Sequence, residues 1–236
     1  SEGNGRMCLT LPDTLITLMG IEKLVPRFQD VEIFSQLLPR SATGERMNPY
    51  TSMWTGVTEG DGPQEFHLVL MDNGRTKTLA DPVGRQALAC IRCGSCMNIC
   101  PVYQHTGGHA YGSVYPGPIG SIITPQLTQG LADDDPVHTL PFASSLCGAC
   151  GEVCPVKIDI PTILVHLRAR SVDVKRRAVP DVWDVAMNVS APVMSKSSLW
   201  AAASETVKAS ALLGGKNGKI GALPFPASLW TGARDL

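Results

Sequence analysis

The sequence predicts an α+β chain: a partial α/β segment, then a mainly helical domain built around cysteines, then a helical or irregular tail. Three observations carry this. Strand-like and helix-like patterns alternate through the first eighty residues. Seven of the eight cysteines crowd into two short runs between residues 90 and 154. From Pro180 the chain turns Ala- and Ser-rich, with weak helical patterns ending near Gly214-Gly215, and reads as a loosely packed extension. The expected divisions are 1–80, 81–175 and 176–236.

In chain order, Thr14 to Met19 is a short apolar run with branched residues, which predicts a buried strand ending at Gly20. Phe28, Val31, Phe34, Leu37 and Leu38 recur at helical spacing, and Pro39 is expected to stop that helix. Tyr50 to Val57 reads as another strand and Gly60 to Pro63 as a loop. Phe66 to Met71 predicts a strand, turned by Asp72-Asn73-Gly74. These pieces read as the last elements of a larger sheet. Asp81-Pro82 has the cap-then-proline signature of a helix start, with the helix running into Cys90. The stretch from Cys100 to Cys147 reads as a long connection with helix-poor ends. Pro161 opens a further helix, from Thr162 to about Val174.

The chain has 236 residues, net charge −1, 44% hydrophobic and 17% charged residues, as befits a soluble globular protein. No global field points to nucleic acid or to an anionic membrane. No apolar run reaches the length of a membrane span, and no signal-peptide pattern opens the chain. It begins at Ser1 and is expected to be a piece of something longer. Clustered thiols in a chain this long point to metal and a reducing cytoplasm rather than to disulfides.

Cys90, Cys93, Cys96 and Cys100, followed by Pro101, have the spacing of bacterial-type [4Fe–4S] proteins. Three close thiolates wrap three corners of one cubane, and the fourth ligates the other cluster. The second run is Cys147, Cys150 and Cys154, followed by Pro155. Aligned with the first, it carries Ser144 where a leading cysteine would stand. Crossed ligation assigns Cys90, Cys93, Cys96 and Cys154 to cluster 1, and Cys100, Cys147 and Cys150 to cluster 2. Cluster 2 then lacks one thiolate. Ser144 through its oxygen, a [3Fe–4S] cluster, a non-cysteine or exogenous fourth ligand, and Cys8 are the competing answers. A lone cysteine such as Cys8 is more often a small buried hydrophobe. Structural zinc is the bland alternative, but zinc favours two separated pairs, and seven thiolates divide poorly into closed four-ligand sites. The middle domain is therefore expected to be a two-[4Fe–4S] ferredoxin-like unit.

Other residues weigh less. His105 and His109 read as loop hydrogen-bonders, and Tyr111 and Tyr115 as packing that excludes water from a cluster. His166, Arg168, Arg170, Lys175, Arg176 and Arg177 form a basic stretch, read as a solvated helix face with docking of an acidic partner as the alternative. No residue stands out as a substrate base, and the catalytic residues are left unassigned.

The stretch Cys90-Ile-Arg-Cys-Gly-Ser-Cys-Met-Asn-Ile-Cys-Pro-Val-Tyr103, with Gly107-Gly-His-Ala-Tyr-Gly112, Tyr115-Pro-Gly-Pro-Ile-Gly120 and Ser144-Ser-Leu-Cys-Gly-Ala-Cys-Gly-Glu-Val-Cys-Pro-Val-Lys157, closely resembles the lactate-utilisation iron–sulfur protein (LutB) family. The resemblance continues through Glu2 to Met7 and Gly20 to Pro26. It implies that residues 1–80 are the C-terminal part of a LUD-type α/β domain. It implies the same cluster ligands, and a second run that lacks its leading cysteine throughout the family. It also implies a cytoplasmic complex that oxidises L-lactate to pyruvate with two partner subunits, a CCG-domain iron–sulfur protein and a small LUD-fold protein. The chain would then be an electron-transfer subunit, not catalytic alone. The alternatives are an iron–sulfur adaptor of another dehydrogenase, of the glycerol-3-phosphate or heterodisulfide reductase type, and a structural metal-binding scaffold.

Overall fold

The computed structural model describes residues 2–48, 51–131, 135–175 and 182–213. The chain forms two compact units, Ser1–Lys175 and Arg176–Leu236.

In the first unit, α1 (Glu2–Thr10) precedes β1 (Thr14–Gly20), and α2 (Phe28–Thr43) leads to β2 (Glu65–Met71). The two strands pair in parallel, Thr14 opposite Glu65 and Gly20 opposite Met71. Parallel neighbours need a crossover connection, and α2 lies within it. The strands predicted at Thr14–Met19 and Phe66–Met71 are present, but β1 is not buried. Its side chains alternate, and with a single partner strand Ile16 and Leu18 stay 63% and 65% exposed. Parallel sheets ordinarily have both faces covered.

Pro39 does not end α2. It removes only the one N–H that would reach Ser35, and the helix continues to Thr43. The stop is Gly44, at φ 78°, whose N–H bonds to the Arg40 carbonyl at 3.2 Å. The strand expected over 50–57 does not form: residues 51–57 are irregular, and Tyr50 lies outside the described residues. Cys8 is exposed on α1, not buried as its residue type suggests. The apolar Met7, Cys8 and Leu9 are consecutive there, so they cannot share one helix face.

After the Asp72–Gly74 turn comes α3 (Arg75–Ala80), then a 3-10 turn, Gly84–Ala89, in place of the expected α-helix. Asp81 does act as the cap, accepting from the Val83 and Gly84 N–H groups at 3.0 and 3.1 Å. Burial acts to raise its pKa. The Gly84 bond, His166 and the Val83 bond outweigh this and hold it at about 2. The stabilisation is complete at neutral pH and is lost only as pH falls from the ordinary 3.8 through about 2.

The connection from Cys100 to Cys147, expected to have helix-poor ends, holds the centre of the unit, and its ends are helical too, in Pro101–Thr106 and Pro136–Phe142. α4 (Ser95–Ile99) and α5 (Pro101–Thr106) are short, and α6 (Gly117–Thr128) is buried from Gly117 to Gln126. Its opening Gly-Pro-Ile-Gly is an unusual helix start. However, proline is tolerated in a first helical turn, and a helix apolar on all sides belongs in a core. α6 packs against α4, the Gly84–Ala89 turn, a 3-10 segment Pro136–Phe142, and α8 (Ile160–Lys175). The helix predicted from Thr162 is present, beginning two residues earlier at Ile160. α7 (Ala149–Glu152) is a single turn between them. Ile122, Ile163, Leu164 and Leu167 are fully buried, each stabilising the unit by about 1.5–3 kcal/mol. In the second unit, α9 (Val182–Ser195) and α10 (Ser197–Leu213) pack on each other. The Gly214-Gly215 break lies outside the described residues.

Gly120 sits where a Cβ would collide with the Tyr115 carbonyl oxygen, backbone against backbone. Gly120→Ala is expected to force α6 outward and cost about 1–3 kcal/mol. Urea unfolding of the holoprotein would check this; an unchanged midpoint would contradict the packing described.

Candidate metal centre

The two cysteine runs begin with the same turn. In the first, Arg92 has φ 59° and Gly94 φ 84°; in the second, Leu146 has φ 56° and Gly148 φ 85°. Arg92 N–H donates to Cys90 Sγ at 3.4 Å, and Leu146 N–H donates to Ser144 Oγ at 3.2 Å. The glycines tolerate the left-handed region, whereas Arg92 and Leu146 adopt it at a cost. Each turn then enters a short helix, α4 or α7, that carries the third residue of the motif.

A cavity of about 150 Å³ is lined by Cys90, Cys93, Cys96 and Cys154 together, with Ile91, Met97, Tyr115, Ile119, Val156 and Ile160 around them. Four thiols from two segments more than fifty residues apart thus face one largely apolar space. Cys100 and Cys150 are buried and Cys147 is exposed. Charge on Cys147 and on Cys100 is felt at Cys150, so these three form a second neighbourhood. Cys96 in turn senses Cys150, so the two thiol sets are neighbours. Among the described residues no three His, Cys, Asp or Glu side chains converge on a single ion. A cluster with separate corner irons needs no such convergence, and the cavity ringed by thiols fits one.

The electrostatics of the protein alone disfavour thiolates here. Burial pushes the Cys96 thiol up to about 12, with the Cys90 and Cys93 charges adding to it against the Ile119 N–H. Burial likewise raises Cys90 and Cys150. Only a cationic centre can draw off these protons, so iron binding and proton release are coupled. N–H groups wait at other sulfurs: Tyr103 N–H to Cys100 Sγ at 3.5 Å and Ile158 N–H to Cys154 Sγ at 3.4 Å. Such bonds tune a cluster's potential.

Several contributors were not singled out from the sequence. Lys23, just after β1, donates from Nζ to the Cys90 carbonyl at 2.6 Å. Ser95 Oγ donates to the Ser41 carbonyl of α2 at 2.5 Å and lies 3.4 Å from Cys93 Sγ. The Arg92 guanidinium stacks over the Tyr115 ring at 4.4 Å, and Arg75 pairs with Glu22 and reaches Tyr115 Oη at 3.5 Å. Apart from the Ser95–Cys93 contact, each of these spans residues distant in sequence, so local pattern carries no signal for it.

The basic stretch is not simply a solvated face. Arg168 donates to the Pro141 and Ser144 carbonyls at 2.8 and 2.9 Å, and His166 and Arg170 both meet Asp81 Oδ2 at 2.9 Å. Arg176 and Arg177 lie outside the described residues. Tyr115 lines the cavity, while Tyr111 is buried against Tyr103 and its hydroxyl is pushed up by burial. His105 and His109 are exposed. Cys8 does not line the cavity.

Residues 86–158 match the 4Fe-4S dicluster domain, and residues 1–71 match the LUD domain. The chain is 44% identical to Lactate utilization protein B 1 of Bacillus mycoides (strain KBAB4), over 100% of this chain and 48% of that protein. It is 44% identical to Lactate utilization protein B of Bacillus subtilis (strain 168), with the same coverage. It is also 44% identical to the "uncharacterized electron transport protein YkgF" of Escherichia coli (strain K12), over 100% of this chain and 49% of that one. The chain spans about half the length of these relatives. No solved structure matches. Among the described residues no helix is long and apolar enough to cross a membrane.

When iron is stripped by a chelator, exposed Cys8 and Cys147 are expected to alkylate at pH 8 well ahead of Cys96, whose thiolate fraction is very small. Peptide mass spectrometry over a time course gives the order; equal rates would show that Cys96 is not desolvated.

Proposed function

We propose, from the premise that the chain belongs to the lactate utilization protein B family, that it is an electron-transfer subunit of a complex oxidising L-lactate to pyruvate. The supporting observation is the single cavity walled by Cys90, Cys93, Cys96 and Cys154, with the Cys100, Cys147 and Cys150 set beside it. In this reading the first four hold a [4Fe–4S] cluster, and the other three hold a second cluster. Residues 1–80 are the end of a LUD-type α/β domain, 81–175 a helical ferredoxin-like domain, and 176–236 an extension.

Bound clusters supply one-electron carriage. The chain's own groups do the rest. The thiolates bind iron, and the apolar wall of Ile91, Met97, Ile119 and Ile160 keeps water from the first site. The N–H groups of Arg92, Tyr103 and Ile158 stabilise charge on sulfur. In this reading exposed Cys147 gives an electron partner access to the second cluster, although Cys100 and Cys150 are buried. Substrate oxidation lies outside the residues assigned here. The partners are taken to be a CCG-domain iron–sulfur protein and a small LUD-fold protein, in the cytoplasm.

Crossed ligation has a distinctive signature. Anaerobic iron and sulfide counting should give about eight of each at most, and Cys154→Ala should abolish the cluster held mainly by the first run. Cys100→Ala should instead abolish the cluster held mainly by the second. If each variant lost the cluster of its own run, the assignment would be wrong. In the assembled complex, L-lactate should reduce both clusters, read by EPR. Reduction by another donor with none by lactate would turn the reading to an adaptor for a different dehydrogenase, and zinc without labile sulfide would end the electron-transfer reading.

A further inference from the structure

We infer that the Ser144 hydroxyl oxygen is the fourth protein ligand of the cluster held by Cys100, Cys147 and Cys150. The inference rests on the two-cluster reading above and settles what that reading leaves open.

The argument is the repeated turn. Cys90 and Ser144 each stand two residues before a non-glycine residue at positive φ, and four before a glycine at positive φ. The φ values at those positions agree within 3° between the two loops (59° and 56°; 84° and 85°). In each loop the side-chain heteroatom accepts the N–H two residues on, at 3.4 Å to sulfur and 3.2 Å to oxygen. A non-glycine residue pays a conformational cost in this region, so the same strained turn occurring twice is not a default of the local sequence, which differs: Ile91-Arg92 in one loop, Ser145-Leu146 in the other. In the first loop that turn delivers Cys90 Sγ to the cavity shared with Cys93, Cys96 and Cys154. By this correspondence of backbone and hydrogen bond, the inference assigns Ser144 Oγ the same relation to Cys147 and Cys150 that Cys90 Sγ has to Cys93 and Cys96. Exchange of Cys100 for Cys154 completes the correspondence.

The hydrogen bond from Leu146 does not occupy the oxygen. A hydroxyl oxygen carries two lone pairs, and Cys90 Sγ accepts the equivalent bond. Arg168 holds the segment from the other side. Its Nη2 donates to the Ser144 carbonyl at 2.9 Å and its Nε to the Pro141 carbonyl at 2.8 Å, which fixes residues 141–144 against α8. The same guanidinium thus stands at the Ser144 backbone. On ligation the Oγ–H bond breaks, the proton passes to solvent through the exposed side of the loop, and an iron–oxygen bond forms; no electron changes hands. Arg168 is thus a positioning residue.

The test compares wild type, Ser144→Ala and Ser144→Cys, purified anaerobically as holoproteins and read by iron and sulfide counting and by EPR. Wild type should hold about eight irons and about eight sulfides, as two cubanes require. Ser144→Ala should fall to about seven irons with sulfide unchanged, and should show an oxidised [3Fe–4S] signal. Ser144→Cys should keep about eight irons and shift the midpoint potential of the second cluster alone. Eight irons and an unaltered spectrum in Ser144→Ala would overturn the inference in favour of a water or exogenous ligand. Seven irons in wild type would overturn it in favour of a native [3Fe–4S] cluster. Should Ser144→Ala not accumulate, the potential in Ser144→Cys decides: no shift would count against oxygen ligation. Absence of labile sulfide in wild type would overturn the two-cluster reading itself, a distinct outcome.

Discussion

The close approach of α6 to the chain around it is the constraint on which the first unit depends. Gly120 lets the helix lie against the Tyr115 carbonyl, and Gly117 lets Met97 of α4 pack on its first turn. That contact brings the Ile119 N–H to Cys96 and seals one wall of the thiol-lined cavity with Ile119. From the opposite face, α8 contributes Ile163, Leu164 and Leu167 to the same core. The second cysteine run, through Cys150 and Cys154, is buried in that core too. The short helices of the two runs, α4 and α7, also pack directly on each other.

The small sheet has a role beyond its own packing. Lys23 grips the Cys90 carbonyl, and the Ser41 carbonyl at the end of α2 accepts from Ser95. The buried Glu22–Arg75 pair stands between β1 and α3, and Arg75 reaches on to Tyr115. A buried pair of this kind adds little net stability, because desolvation offsets the Coulombic gain. Its effect here is geometric: it holds the sheet, the turn at Tyr115 and the Cys90–Cys96 loop in one arrangement. The first unit behaves as one body although it matches two family domains.

The elements legible in advance were those whose signal is local. The apolar runs of β1 and β2, the Asp72–Gly74 turn and α8 follow from periodicity and turn chemistry. The errors lie where a tertiary neighbour overrides a local rule. Pro39 reads as a stop, but α2 has turns on either side to carry it. Gly117-Pro118-Ile119-Gly120 falls in what reads as a connection, but its glycines are what allow a buried helix to pack so closely. His166, Arg168 and Arg170 read as a solvated face, but each meets an acceptor contributed by residues 24 to 89 positions away.

By itself the sequence carried the chemical signal: seven clustered thiols, their spacing, the serine at the position matching Cys90, and the family resemblance. Spacing of two or three residues limits how far three sulfurs can separate, so three corners of a site follow from the chain alone. The tertiary structure decided the rest. It brings Cys154 to Cys90 across more than sixty residues, buries Cys96 while leaving Cys147 exposed, and gives Ser144 the turn of Cys90. The reason is physical: the approach of distant segments is set by how α6 and α8 pack, and no local pattern carries that information.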